Sequence, residues 1–144
     1  MAQVDSIPCR PFECRPQHVT SLHMEGNTSV RGVAVLNNEL YVAYEESNTI
    51  QVFESRIPFT RREDIKILRL KDASDITVCS KSSQLYITDA QCAIWRANLL
   101  TVEPSDKFIT IQWEPKSLSV NSTRLLVTPD DGKSLYLYGD DGNA

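Results

Sequence analysis

Apolar and polar residues alternate with a period of two along most of this chain, in short runs set apart by turn-forming residues. The first clear case is Gly32-Val33-Ala34-Val35-Leu36, an Asn37-Asn38 turn, then Leu40-Tyr41-Val42-Ala43. It predicts a hairpin with Val33 and Val35 on one face of its first strand and Leu40 and Val42 on one face of its second. A third run, Thr49-Ile50-Gln51-Val52-Phe53, follows the polar turn Glu45-Glu46-Ser47-Asn48 and completes an antiparallel meander.

The pattern returns twice. Asp75-Ile76-Thr77-Val78, Leu85-Tyr86-Ile87-Thr88 and Ala93-Ile94-Trp95-Arg96 repeat the order of runs, with Ser80-Lys81-Ser82-Ser83 as the first turn. Ser117-Leu118-Ser119-Val120, Leu125-Leu126-Val127-Thr128 and Leu135-Tyr136-Leu137-Tyr138 form the third copy, with turns at Asn121-Ser122-Thr123 and Pro129-Asp130-Asp131-Gly132. Aligning Gly32, Asp75 and Ser117 gives spacings of 43 and 42 residues. An outer run precedes each meander, at residues 18–24, 65–70 and 108–113, and the last two also start 43 residues apart.

A four-strand unit repeated every 42 residues or so is the sequence signature of a propeller blade. The chain is therefore read as all-β: a β-propeller with three repeats, half of a six-bladed ring. An N-terminal extension occupies residues 1–17, the repeats 18–138 and a tail 139–144. Helices are disfavoured by Pro104 and Pro115 and by the period-two pattern. Residues 61–71 also fit a short amphipathic helix, but the counterpart at 108–113 favours a strand.

A blade cannot bury both its faces alone, so three blades leave two faces open. Further chain closes them, or self-association as a homodimer of three-blade halves does. In a head-to-tail dimer the early strand at 18–24 can complete the last blade of the other copy.

In these repeats the chain resembles the six-bladed propellers of the NHL-repeat type, including those appended to tripartite-motif proteins. The resembling segments are Val30-Arg31-Gly32-Val33-Ala34-Val35 with Leu40-Tyr41-Val42-Ala43, and Ser74-Asp75-Ile76-Thr77-Val78 with Leu85-Tyr86-Ile87-Thr88-Asp89. Lys116-Ser117-Leu118-Ser119-Val120 with Leu125-Leu126-Val127-Thr128 is a third. Only the first copy keeps the glycine, and the paired Gly-His and Trp-Asp of WD repeats do not recur. The resemblance implies a binding scaffold, and propellers of this kind include RNA-binding examples.

Composition supports a folded chain: 41% of its 144 residues are hydrophobic and 24% charged. No segment is long and apolar enough to span a bilayer, and the first thirty residues lack the apolar run of a signal peptide, so the expected location is cytoplasmic, with no membrane partner. In that compartment Cys9, Cys14, Cys79 and Cys92 are free thiols, although Cys9 and Cys14 are close enough in sequence to form a bridge in an oxidising one. Asn27-Thr28-Ser29 and Asn121-Ser122-Thr123 match the glycosylation pattern, which matters only on secretion.

Net charge is −4, yet Arg56, Arg61, Arg62, Lys66, Arg69 and Lys71 hold six of the 15 basic residues within 16 positions. They are the candidate RNA-binding residues, with Phe59 available to stack on a base; the plainer reading is a solvated loop balanced by Glu63, Asp64 and Asp72. His18 and His23 are the only histidines, and no serine elbow or Walker sequence is present. Asp130-Asp131-Gly132 and Asp140-Asp141-Gly142 read as turns. Glu25, Glu45, Asp75 and Asp89 lie near strand ends and can face a central channel, where some six-bladed hydrolases and lactonases hold a metal, but their spacing defines no common shell. No catalytic residue, cofactor or metal is therefore assigned. Tyr41, Tyr86 and Tyr136 recur in related strands and are read as packing groups between blades. The functional expectation is a noncatalytic module that binds a protein partner, with RNA binding and metal-dependent hydrolysis as alternatives.

Overall fold

Every predicted inner run is a strand in the computed structural model, which describes residues 17, 20–23, 28–101 and 106–139. The first sheet contains β1 (Val30–Leu36), β2 (Glu39–Tyr44), β3 (Thr49–Glu54) and β4 (Ile65–Lys66) in that order. The second repeats the meander with β5 (Ala73–Cys79), β6 (Gln84–Asp89), β7 (Ala93–Asn98) and β8 (Asp106–Thr110). The third has β9 (Pro115–Asn121), β10 (Arg124–Pro129) and β11 (Tyr136–Tyr138). The described residues contain no helix.

Register follows the alternation. Val33 pairs with Val42 and Val35 with Leu40, so these four share one face, while Ala34 and Tyr41 share the other. The tight β1–β2 and β9–β10 turns need a left-handed residue, supplied by Asn37 (φ 57°) and Ser122 (φ 61°).

The sheets stack face to face. Tyr41, Ala43, Ile50 and Val52 of the first meet Ile76, Leu85, Ile87 and Trp95 of the second. The opposite face of the second sheet, with Cys79, Tyr86 and Ile94, meets Leu118, Leu125, Val127 and Tyr138 of the third. Tyr41 and Tyr86 are buried packing groups, as expected, and Tyr136 stacks on Trp113 at 4.6 Å.

The closest approach is between first strands. A Cβ added at Gly32 would lie 2.9 Å from the Ile76 Cγ2 and 2.9 Å from Asp75 Oδ1, so only glycine lets β1 come this near β5. At the next junction Asp75 spans the gap: Oδ1 accepts from its neighbour Ile76 N at 2.8 Å and Oδ2 from Leu118 N at 2.8 Å. Gly32 and Asp75, aligned by spacing, thus share one task, facing the following sheet.

All three outer elements differ from expectation, the one expected over residues 108–113 running instead from Asp106 to Thr110. The strand expected over residues 65–70 ends at Lys66, and Leu68 and Arg69 form a turn. Ile67 and Leu70 are buried all the same, inserted into the first core as loop residues, which explains their apolar character without ladder pairing. Of the early strand at 18–24, residues 20–23 are described and are not in a strand. Leu22 packs against Val42, Tyr44 and Phe53 of the first sheet rather than joining the third. His18, Glu25, Cys9, Cys14 and Asp140-Asp141-Gly142 lie outside the described residues.

Candidate binding cleft

Each meander carries the same irregularity at the start of its first strand. Pairing skips one residue between Val30 and Gly32, between Ala73 and Asp75, and between Pro115 and Ser117. The skipped residues are Arg31, Ser74 and Lys116, in register with the 43- and 42-residue repeat. A bulge bends its strand and re-aims the extra side chain. All three line one cavity of about 140 Å³, together with Asp72, Glu114 and Asp130.

Each bulge residue meets a partner fourteen positions on, where β2, β6 or β10 ends. Arg31 bonds Glu45, Ser74 Oγ lies 2.9 Å from Thr88 Oγ1, and Lys116 Nζ is 3.3 Å from Asp130 Oδ1. The uncharged Ser74–Thr88 pair therefore sits between two ion pairs, and the carboxylates of Asp72 and Glu114 add negative charge to the lining. The Ser74 hydroxyl donates to the Pro115 carbonyl at 2.8 Å, tying the second sheet to the third at the floor of the cleft. Lys116 and Asp130 are 64% and 58% exposed, so the pair is worth at most about 1 kcal/mol and yields readily to a competing charge.

Of the acidic residues considered for a channel site, the three that are described have other partners. Glu45 holds Arg31, and Asp75 joins two first strands. Asp89 is buried and accepts four hydrogen bonds, from Lys71 N, Asp72 N, Gln91 N and Trp95 Nε1, at 2.9–3.2 Å. Asp131 closes a turn by accepting from Lys133 N. Among the described residues no three of His, Cys, Asp and Glu are grouped to hold a metal ion.

The basic segment is spread around the outer edge of the first sheet. Arg61 makes a two-pronged contact with Asp64 at 2.8 and 3.2 Å and lies over Phe53. Arg56 and Arg62 both approach Glu54, at 3.4 and 3.7 Å. Lys66 is in β4, Arg69 in the turn after it, and Lys71 leads into β5. Phe59 packs with Val42, Tyr44 and Phe53 and so is partly withdrawn from solvent. Sequence reasoning missed Arg31, Ser74 and Lys116, although their shared place in the repeat was there to be read.

No family model matches the chain, and no curated protein matches it. Among solved structures it is similar to one titled as the crystal structure of a nidogen/laminin complex, with a TM-score of 0.66 and 14% identity over 81% of this chain. The match covers 46% of that chain, so this one spans about half its neighbour's length. The likeness is one of fold and, with three stacked antiparallel sheets, makes the architecture propeller-like.

Proposed function

We propose that the chain is a noncatalytic protein-interaction propeller module that receives an extended segment of a partner at the bulge-lined cleft. The observation that carries the reading is the convergence of Arg31, Ser74 and Lys116 from three successive sheets on one cavity. Loop ends held by a rigid sheet stack are where binding residues concentrate. The two weak ion pairs suit a partner that carries charges of both signs, each replacing one half of a pair. The structural neighbour was solved in complex with another protein, which fits the same use of the fold.

The blade repeat supports half of a six-bladed ring, completed by self-association or by further chain, and its NHL-like kind rests on the sequence resemblance alone. RNA remains the second reading, through Arg56, Arg61, Arg62, Lys66, Arg69 and Lys71. The carboxylates beside three of them reduce the charge offered to phosphate, which favours the protein reading. A metal-dependent hydrolase or lactonase ranks third, since Asp75 and Asp89 are engaged by N–H donors.

Selection from a displayed library of linear peptides tests the cleft. Peptides that bind the protein saturably should lose at least tenfold in affinity to Lys116→Glu or Arg31→Glu, both at exposed positions. Binding indifferent to both substitutions would remove the cleft from the account. In parallel, neutralising Arg61 and Arg62 together should leave single-stranded RNA binding unchanged; a loss of salt-sensitive affinity would promote the RNA reading.

A further inference from the structure

The three first strands obey one rule of side-chain character. On one face they carry small or polar groups, Gly32 and Ala34 in β1, Asp75 and Thr77 in β5, Ser117 and Ser119 in β9, and in β1 and β5 this face meets the following sheet. Toward the preceding sheet they carry branched ones: Val33 and Val35, Ile76 and Val78, Leu118 and Val120. Glycine against isoleucine brings β1 up to Ile76, and at the second junction the Asp75 carboxylate reaches Leu118 N. Two of these junctions are made within the chain. The third is left with its halves at opposite ends, branched on β1 and small on β9.

Burial registers the vacancy. Ile76 and Leu118 are 3% and 8% exposed, whereas Val33, at the same place in the repeat, is 58% exposed and Val35 54%. Leu22 and Phe59 pack over β2 and β3 of that sheet, while Val33 and Val35 of β1 stay exposed. On the third sheet, Ser119 shares its face with Leu126 and Leu137, the latter 41% exposed.

We infer that the Val33 and Val35 face of β1 docks the Ser117 and Ser119 face of β9 from a second copy of this chain, two copies closing one six-bladed ring about a twofold axis. This rests on the half-ring reading above and names its occupant. A second copy fits because the chain carries both complementary halves of the junction, each formed like the internal junctions. In the closed ring Ser117 takes the place of Asp75 and Val33 that of Leu118, so the Ser117 hydroxyl faces the Val33 backbone N–H of the other copy. Closure makes the same contact twice, which satisfies both open faces without leaving an edge for further growth.

Sedimentation equilibrium of the intact chain tests this. The expected mass is twice 16.3 kDa. Val33→Asp with Val35→Asp should raise the dissociation constant at least about 100-fold by placing charge in an apolar contact, and Ser119→Arg should do the same from the other side. Both sets of positions are exposed in the single chain, so each variant should keep its β-sheet circular dichroism. An equimolar mixture retains one undamaged junction per pair and should dimerise more than either variant alone. A folded monomer at about 100 µM, the outcome if further chain supplies the missing blades, would overturn the second-copy proposal, as would a dimer indifferent to both variants. Peptide binding measured on the same samples separates the two readings: a monomer that still binds through the cleft refutes only the dimer, and a dimer that does not refutes only the cleft.

Discussion

Asp89 is the least replaceable polar side chain described in the molecule, and Asp89→Asn isolates why. It is 1% exposed, with Oδ1 accepting from Asp72 N (3.2 Å) and Gln91 N (2.9 Å) and Oδ2 from Lys71 N (3.0 Å) and Trp95 Nε1 (3.0 Å). Those donors come from the loop before β5, the turn after β6 and the middle of β7, so one carboxylate holds three segments of the second sheet. Asparagine keeps the shape but turns one oxygen into an NH2 group facing two N–H donors. Orphaning a buried donor costs about 1–3 kcal/mol, and the two losses share one relaxation, so we expect a total of about 3 kcal/mol. Over 144 residues the unfolding entropy is on the order of 0.3 kcal/mol per degree, which makes the expected fall in Tm about 10 °C. Thermal unfolding followed by circular dichroism reads this, and the Trp95 indole N–H resonance should move with it. Asp131→Asn, which disturbs an exposed turn, serves as the control and should shift Tm by no more than about 1 °C. An Asp89→Asn protein that melts within about 2 °C of the parent, with the indole resonance in place, would refute the reasoning.

Gly32→Ala places a methyl 2.9 Å from the Ile76 side chain and 3.1 Å from its backbone nitrogen, and should cost about 1–3 kcal/mol, read as a lower urea midpoint at unchanged slope. An unchanged midpoint would mean that β1 and β5 lie further apart than described. Tyr41 gives a pH test: burial, reinforced by Glu39, pushes its phenol up to about 12. The unfolded chain releases that proton near pH 10 while the folded one keeps it, so stability should decline as pH rises from about 10 toward 12 and be insensitive to this group below. Tyr41→Phe should flatten that part of the slope in urea titrations; an identical slope in both proteins would show that Tyr41 is not the group responsible.

The inner strands were legible because they need only local information: alternation sets their faces, and the spacing from Gly32 to Asp75 to Ser117 sets their order. The outer strands were legible only in part: β8 forms where a run was read at 108–113, but β4 stops after Lys66. Ile67 and Leu70 are apolar because they fill the first core, and hydrophobicity alone does not distinguish filling from ladder pairing. Leu22 posed the same ambiguity and packs on the first sheet. The cleft was half visible: repeat spacing aligned Arg31, Ser74 and Lys116, but only the bulges aim them together. The grouping of Arg56, Arg61, Arg62, Lys66, Arg69 and Lys71 by sequence distance was less informative, since Arg61 meets Asp64 and both Arg56 and Arg62 approach Glu54. Asp89 looked like a channel carboxylate because a strand end is where such groups sit, and its backbone donors come from segments that only the fold brings near.

The first strands of neighbouring sheets stack face to face, and a nuclear Overhauser measurement between β1 and β5 tests that contact directly. The Gly32 Hα protons and the Ile76 γ-methyl group should show a strong cross-peak, because an added Cβ on that glycine would come within 2.9 Å of the methyl carbon. With both resonances assigned and the two meanders intact, absence of the cross-peak would contradict the stacking.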